Sequence, residues 1–331
     1  MTIESLSISG ISEPVSRVAL GTWAIGGWKW GGSNEAKAIA TIQAAVDAGI
    51  NFIDTAPVYG FGVSEERVGK ALAGGRRDRA VIATKVGMNW SADGKVFRDS
   101  SAARIRQEVE DSLRRLRTDR IDLYQVHWPD PKVPIEEVAQ ELEALRLAGK
   151  IRAIGVSNHS PEQMRAFGAV AKLASVQPPY NLFERGIEAD VLPHAESASL
   201  AVLAYGSLCR GLLSGRMTPE TRFEGDDLRG YDPKFNAPRR EQYLAAVAAL
   251  DDYARQRHGK SVLALAVRWV LDRGRTVALW GARRPEQLAD VGEVFGWTLS
   301  DADMAEIDAI LTRCVLDPVG PEFFAPPIAA A

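Results

Sequence analysis

One unit of grammar recurs along this chain and confines it to a narrow set of folds: a helix, a glycine, then a short apolar strand. It appears as Ala48-Gly49-Ile50, as Ala148-Gly149-Lys150-Ile151 and as Arg273-Gly274-Arg275-Thr276-Val277, each glycine standing where a helix needs a left-handed C-terminal cap. Eight apolar runs read as strands, at residues 17–20, 50–53, 80–84, 121–126, 151–155, 175–177, 200–204 and 276–280. Helical stretches separate them at 64–73, 101–116, 135–148, 161–173, 189–197, 239–272 in two pieces, and 285–295, after a first helix that starts near Ser33-Asn34. Ile105, Val109, Leu113 and Leu116 form one helical stripe. Such alternation implies parallel strands joined by right-handed crossovers. With eight units and no Gly-x-Gly-x-x-Gly after the first strand, the pattern predicts an α/β chain closed into a (β/α)8 TIM barrel, not an open doubly wound sheet.

Additions to a minimal barrel are visible. Residues 3–15 alternate around Ser9-Gly10 and predict a short hairpin that caps one end of a sheet. The two helical pieces of 239–272 put an extra helix before the eighth strand, and another lies near 301–313. A long polar loop at 216–238 and a Pro-rich tail at 315–331 are candidates for covering a site. Nothing in the sequence marks a linker, so residues 1–331 are expected to form a single domain.

Charge and composition narrow the function classes. A formal net charge of −3 gives no electrostatic case for nucleic acid. Cys209 and Cys314 lie far apart, unlike a metal-ligand or redox pair. No signal peptide and no membrane span is apparent, so a cytoplasmic protein with no membrane partner is expected.

In a barrel, chemistry gathers where strands end at their C-terminal side. Those ends carry Gly21-Thr22-Trp23, then Asp54 with Tyr59, Lys85, His127-Trp128, Ser157-Asn158, Gln177, Tyr205-Gly206-Ser207, and Gly281-Ala282-Arg283. Asp54, Tyr59, Lys85 and His127 come from three neighbouring strands. Each alone has a structural explanation: a turn cap, a packing aromatic, a rim charge, a core histidine. Together at one rim they suit proton transfer, with a lysine favouring the phenolate and an aspartate holding the lysine, so that Tyr59 works as acid or base near neutrality.

These residues resemble a known family. Residues 49–60 continuing into Ser64-Glu65-Glu66-Arg67-Val68-Gly69-Lys70-Ala71-Leu72, then Thr84-Lys85, Arg120-Ile121-Asp122-Leu123-Tyr124-Gln125-Val126-His127-Trp128, and Gly149-Lys150-Ile151-Arg152-Ala153-Ile154-Gly155-Val156-Ser157-Asn158 resemble the aldo-keto reductases. The segments 177–185, 205–215 and 317–323 are most similar to their bacterial general-stress-type branch. The resemblance implies an NADP(H)-dependent oxidoreductase that reduces aldehydes and some ketones. It implies that Tyr59 donates the proton, Lys85 on Asp54 tunes it, and His127 orients the carbonyl. Gly21, Thr22 and Trp23 join the implied cofactor set, in which Ser157, Asn158 and Gln177 hold the carboxamide and Tyr205 stacks on the nicotinamide. Ser207, Leu208, Arg210 and Gly211 pass the pyrophosphate, and Gly281, Arg283 and Gln287 grip the 2′-phosphate end. Where many members carry Glu-Asn this chain has Asp290-Val291, which removes the usual amide contact to adenine.

Trp28, Trp30 and Trp128 are placed at the substrate mouth. No metal is expected, and the partner is a small carbonyl compound bound by a monomer or weak homo-oligomer. Two other readings stand beside this one: a nucleotide-sensing subunit similar to potassium-channel β-subunits, and a Schiff-base aldolase using Lys85.

Overall fold

The computed structural model describes residues 3–328; residues 1–2 and the end of the tail, 329–331, lie outside the described residues. The chain opens with β1 (Ser5–Leu6) paired antiparallel to β2 (Val15–Ser16). Next come β3 (Val18–Gly21), the short helix α1 (Trp23–Gly26), α2 (Glu35–Asp47), β4 (Phe52–Asp54), α3 (Val63–Ala71) and β5 (Val81–Val86). A second hairpin, β6 (Met88–Trp90) with β7 (Val96–Arg98), leaves the barrel before α4 (Ala102–Leu116). Regular alternation resumes with β8 (Ile121–Val126), α5 (Ile135–Leu147), β9 (Ile151–Ser157), α6 (Pro161–Gly168), β10 (Leu173–Gln177), α7 (Val191–Ser197) and β11 (Ala201–Ala204). Helices α8 (Arg239–His258) and α9 (Val262–Leu271) precede β12 (Thr276–Gly281), and α10 (Asp301–Cys314) follows it.

The eight expected strands close into a parallel barrel in the order β3-β4-β5-β8-β9-β10-β11-β12. Sequence spacing set this: α2, α5 and α9 are followed by Gly49, Gly149 and Gly274 in the left-handed region, and there the chain turns at once into the next strand. Starts are equally explicit, with Asn34, Ser101, Ser160, Ser261 and Ser300 accepting from the first turns of α2, α4, α6, α9 and α10.

Side chains within the strands divide with period two. Val18, Leu20, Ile53, Ile82, Tyr124, Val202, Ala278 and Trp280 pack outward with the helices. Ala19, Phe52, Val81, Ala83, Leu123, Ala153, Ala201, Leu203, Val277 and Leu279 fill the interior, where Ile8, Ile11 and Val15 of the first hairpin join them. That hairpin therefore caps the barrel at its N-terminal end. The opposite end is left to polar residues.

Some boundaries differ from the sequence reading. The helix expected at 161–173 stops at Gly168, because Leu173 already belongs to β10. Residues Pro285–Val294 form 3-10 turns, not an α-helix; Trp280 Nε1 donates to the Gln287 carbonyl at 3.0 Å and Gln287 Oε1 accepts from the Arg283 backbone N–H at 2.8 Å, tying the segment to the strand end. The β6–β7 hairpin was not anticipated, although Asp93-Gly94 is a strong hairpin signal. No helix among the described residues is long and apolar enough to cross a membrane.

Candidate functional site

The period-two rule carries polar groups onto the inward face one or two steps beyond the apolar filling. Phe52 is followed by Asp54, Val81 and Ala83 by Lys85, Leu123 by Gln125 and then His127, Ala153 by Gly155 and Ser157, and Leu203 by Tyr205. Tyr59 arrives from the turn after β4, in which its N–H bonds to the Ala56 carbonyl at 3.1 Å with Pro57 in the corner position. Two glycines let this turn touch the loop after α1. A Cβ at Gly26 would lie 2.4 Å from the Tyr59 carbonyl oxygen, and one at Gly60 would lie 2.3 Å from that of Gly26.

At the centre stands Lys85, fully buried. Its Nζ donates to Asp54 Oδ2 at 2.8 Å, to the Thr55 carbonyl at 3.0 Å and to the Tyr59 hydroxyl at 3.3 Å. The His127 ring meets Tyr59 edge-on with centroids 5.8 Å apart. Asp54 Oδ1 in turn accepts from Gln177 Nε2 at 2.8 Å and from Gln125 Nε2 at 3.3 Å. Ser157 Oγ donates to the Gln177 carbonyl, and the Tyr205 hydroxyl donates to Asn158 Oδ1. Asn158, in the left-handed region at φ 60°, sends Nδ2 to the carbonyl of His127 at 3.0 Å.

Burial governs the protonation states. Desolvation, helped by the charge of Asp54, holds the Tyr59 phenol well above its ordinary value. The sequence reading has the lysine favour the phenolate, so that Tyr59 serves as acid or base near neutrality; burial instead keeps the proton on Tyr59, which suits the acid role alone. The lysine charge is turned toward Asp54 at 2.8 Å and reaches the phenol only at 3.3 Å. Desolvation lowers Lys85, opposed by the charge and hydrogen bond of Asp54 and by Glu65. His127 is pushed well below the usual histidine range by desolvation and by Lys85. His127 lines the cavity above the cluster.

Above this cluster lies a cavity of about 540 Å³, within the ordinary range of small-molecule sites. Tyr59, Asp54, His127, Ser157, Asn158, Gln177 and Tyr205 line it, as do Gly21, Thr22, Trp23, Leu208, Arg210, Gly211, Gly281, Arg283 and Gln287. The three tryptophans singled out in the sequence, Trp28, Trp30 and Trp128, stand in its wall. Ser207 does not, since its hydroxyl is buried and donates to the Ala204 carbonyl at 2.8 Å. Arg210 reaches the cavity but is committed to Glu184 at 2.6 Å and Asp232 at 2.7 Å. Arg283 donates to the Trp30 carbonyl at 2.9 Å. Asp290 pairs with Arg216.

The cover comes from four segments outside the barrel. Asp226 of the 216–238 loop accepts from the backbone N–H groups of Lys29 and Gly31 at 2.7 and 2.9 Å, and Arg229 lies over the Trp30 ring. Arg98 of β7 donates to the Pro326 carbonyl from its side chain and to the Pro327 carbonyl from its backbone. Phe324 then packs against Trp23 and under the Arg210 guanidinium. Sequence reasoning missed Gln125, Met88, Arg229, Phe324, Pro326 and Pro327. Only Gln125 had a usable signal, being a polar residue on the inward face two positions before His127.

The family model described as "Aldo/keto reductase family" matches residues 17–312. The chain is 58% identical over 327 residues, 98% of each chain, to a protein named aldo-keto reductase YhdN from Bacillus subtilis (strain 168). The structure of glycerol dehydrogenase AKR11B4 from Gluconobacter oxydans aligns with a TM-score of 0.89 at 58% identity, over 98% of this chain and all of that one. A Klebsiella pneumoniae aldo/keto reductase, solved with NADP and acetate, aligns with a TM-score of 0.72 at 29% identity, over 94% of this chain and 96% of that one. The polar cluster thus sits where a barrel keeps its chemistry, on a chain matched almost end to end, and the chain belongs to the aldo/keto reductase family.

Proposed function

We propose that this chain acts as a single-domain NADPH-dependent reductase of aldehydes and some ketones, with Tyr59 as proton donor. The observation that carries this reading is the meeting of Tyr59, Asp54 and His127 at the floor of one cavity, with Lys85 buried behind them on Asp54 and Tyr59. The residues above them fit the cofactor that the Klebsiella relative was solved with. Both hydrogens of Gln177 Nε2 are engaged, by Asp54 and by Gln125 Oε1 at 3.3 Å, which leaves its oxygen as an acceptor for a carboxamide N–H. Tyr205 offers a ring face, and Arg283 a guanidinium suited to a phosphate.

When bound, the reduced nicotinamide supplies a hydride to the carbonyl carbon. Everything else falls to the chain. His127, uncharged, donates a hydrogen bond to the carbonyl oxygen and fixes its position. Tyr59 keeps its proton at neutral pH and hands it to that oxygen as negative charge develops there. The Lys85 ammonium stabilises the phenolate left behind, and Asp54 holds the ammonium in place. Trp23, stacked on Tyr59 with centroids 5.8 Å apart, shields the transfer from water together with Trp28, Trp30 and Trp128.

Lys85 is poorly placed for Schiff-base chemistry. It is absent from the cavity wall, and its Nζ is enclosed by three oxygen partners. The finer parts of the reading are a cytoplasmic location and action as a monomer or weak homo-oligomer; two free cysteines suit a reducing compartment.

The test mixes purified protein with NADPH and either 4-nitrobenzaldehyde or methylglyoxal and follows nicotinamide absorbance. Tyr59→Phe should lower kcat by about 10³-fold while NADPH affinity stays within about twofold. Retained turnover in that variant would sink the acid role. Tight NADPH binding without turnover of any carbonyl in a broad panel would favour the nucleotide-sensing reading instead.

A further inference from the structure

Asp54 uses its two oxygens differently. Oδ2 faces Lys85 at 2.8 Å, whereas Oδ1 receives two carboxamide donors, Gln177 Nε2 at 2.8 Å and Gln125 Nε2 at 3.3 Å. The two carboxamides are also joined, Gln177 Nε2 donating to Gln125 Oε1 at 3.3 Å. Gln125 is fully buried and does not line the cavity. In the barrel it lies in register with Lys85 on one side and with Gly155 on the other, and Gly155 in register with Ser175. That glycine is what admits it: a Cβ there would stand 3.0 Å from Gln125 Cγ and 2.4 Å from Ser175 Oγ. A polar side chain has thus been given a notch in a layer that is otherwise tightly filled, and its amide is spent on one carboxylate oxygen.

We infer that Gln125 is a positioning residue for the reaction: with Gln177 it forms a two-donor cradle on Asp54 Oδ1, which turns Oδ2 toward Lys85 and moderates the charge that Asp54 presents to Lys85 and Tyr59. The orientation follows from the donors. A Gln125 turned the other way would set its oxygen against the carboxylate and its amine against the amine of Gln177, so a charged Asp54 accepts only one arrangement. Because Gln177 also walls the cavity, the cradle connects the surface offered to the cofactor with the pair behind Tyr59. This proposal rests on the reductase reading given above.

Gln125→Met keeps the volume of the side chain and removes its polar atoms. In it kcat should fall about tenfold, the low end for a hydrogen bond to a charged group at this length. KM for the carbonyl, and the NADPH dissociation constant measured by quenching of tryptophan fluorescence, should stay within about twofold of wild type. With Asp54 less compensated, Tyr59 holds its proton more tightly, so the alkaline limb of kcat/KM for reduction should move up by about half a pH unit or more. Gln125→Glu supplies the rescue. While protonated, its hydroxyl donates to Asp54 and its carbonyl accepts from Gln177; kcat should therefore approach wild type at low pH and fall as the second carboxyl ionises.

A Gln125→Met enzyme with wild-type kcat and an unmoved alkaline limb overturns the proposal and leaves the reductase reading intact. So does a loss of kcat matched by an equal loss of NADPH affinity, or a Gln125→Glu enzyme equally impaired at every pH, since either marks a packing residue only. If Gln125→Met does not fold, the pH dependence of Gln125→Glu decides alone, and a flat deficit refutes the cradle. Absence of NADPH-dependent turnover in the wild type overturns both readings together.

Discussion

Replacing Asp54 by Asn isolates the charge at the heart of the site. Asparagine keeps an oxygen for Gln177 and Gln125 but turns an amide N–H₂ toward Lys85 Nζ, where a carboxylate now lies at 2.8 Å. Lys85 is fully buried and already lowered by desolvation, with Asp54 the main group opposing the shift. Without the carboxylate the ammonium gives up its proton instead of staying charged. Neutralising an ordinary lysine of pKa about 10.4 at pH 7 costs about 4.6 kcal/mol, which caps the loss and agrees with the roughly 3–5 kcal/mol typical of breaking a buried pair. At about 2.1 cal/mol/K per residue, 331 residues give an unfolding entropy near 0.7 kcal/mol/K, so Tm should drop by about 4–7 °C at pH 7.

The pH dependence separates this mechanism from simple loss of packing. A lysine depressed in the folded state is neutral there while its unfolded counterpart is still protonated. The unfolded state then binds the extra proton, and stability rises with pH across the gap up to the unfolded value. In the variant that gap extends to lower pH than in the wild type. Its deficit should therefore shrink by about 1.4 kcal/mol, or about 2 °C, for each pH unit between 7 and 9. Scanning calorimetry at a fixed scan rate on both proteins measures this directly. A deficit that stays constant with pH, or a variant as stable as wild type at pH 7, would refute the argument that Asp54 keeps a buried ammonium charged. Turnover should fall in parallel, because a neutral lysine no longer supports the phenolate.

Two further outcomes follow from the same geometry. Arg283→Ala should weaken NADPH by about 10–100-fold, the loss of charge-assisted contacts to a phosphate, and leave NADH within about twofold; equal weakening of both in a fluorescence titration would remove Arg283 from phosphate recognition. Because His127 is held well below the ordinary histidine value, lowering pH through about 6.5 should not charge it, and kcat/KM for reduction should show no acid limb there. An acid limb near 6.5 that His127→Asn abolishes would contradict this.

The barrel was legible because its signals are local. Gly49, Gly149 and Gly274 mark helix ends by backbone conformation, and the apolar runs between them are short enough to be buried strands. Asp54, Lys85 and His127 were legible because each follows such a run directly, where strand ends converge. The interior partners were harder. Gln125 lies inside a run that reads as a buried strand, and only counting by twos from Leu123 reveals that it faces inward with His127. The state of Tyr59 was harder to read for a related reason: the sequence shows that Lys85 is near and that Asp54 holds it, but not how deeply the phenol is buried, and burial is the larger cause of its raised value. The mouth was least legible of all. Phe324 meets Trp23 across some 300 residues of chain, and no pattern within either segment records that contact.

That division of labour bears on how substrate preference is held. The groups proposed to move the proton sit on β4, β5, β8 and the turn after β4, anchored by the register of the barrel itself. The walls that a carbonyl compound would meet come from the loop after α1, the β6–β7 hairpin, the 216–238 loop and the tail. These four are tied to one another, by Asp226 on the Lys29 and Gly31 amides, by Arg98 on the Pro326 and Pro327 carbonyls and by Lys234 on the Gly320 carbonyl. They are also tied to the loops at the strand ends, by Arg283 on the Trp30 carbonyl, Arg98 on the Pro129 carbonyl and Arg210 on Asp232. Side chains such as Trp28, Trp30, Met88 and Phe324 thus reach the cavity from segments added to the barrel, while Asp54, Tyr59, Lys85 and Gln125 are linked through Asp54 and Lys85 by distances that leave little room for exchange.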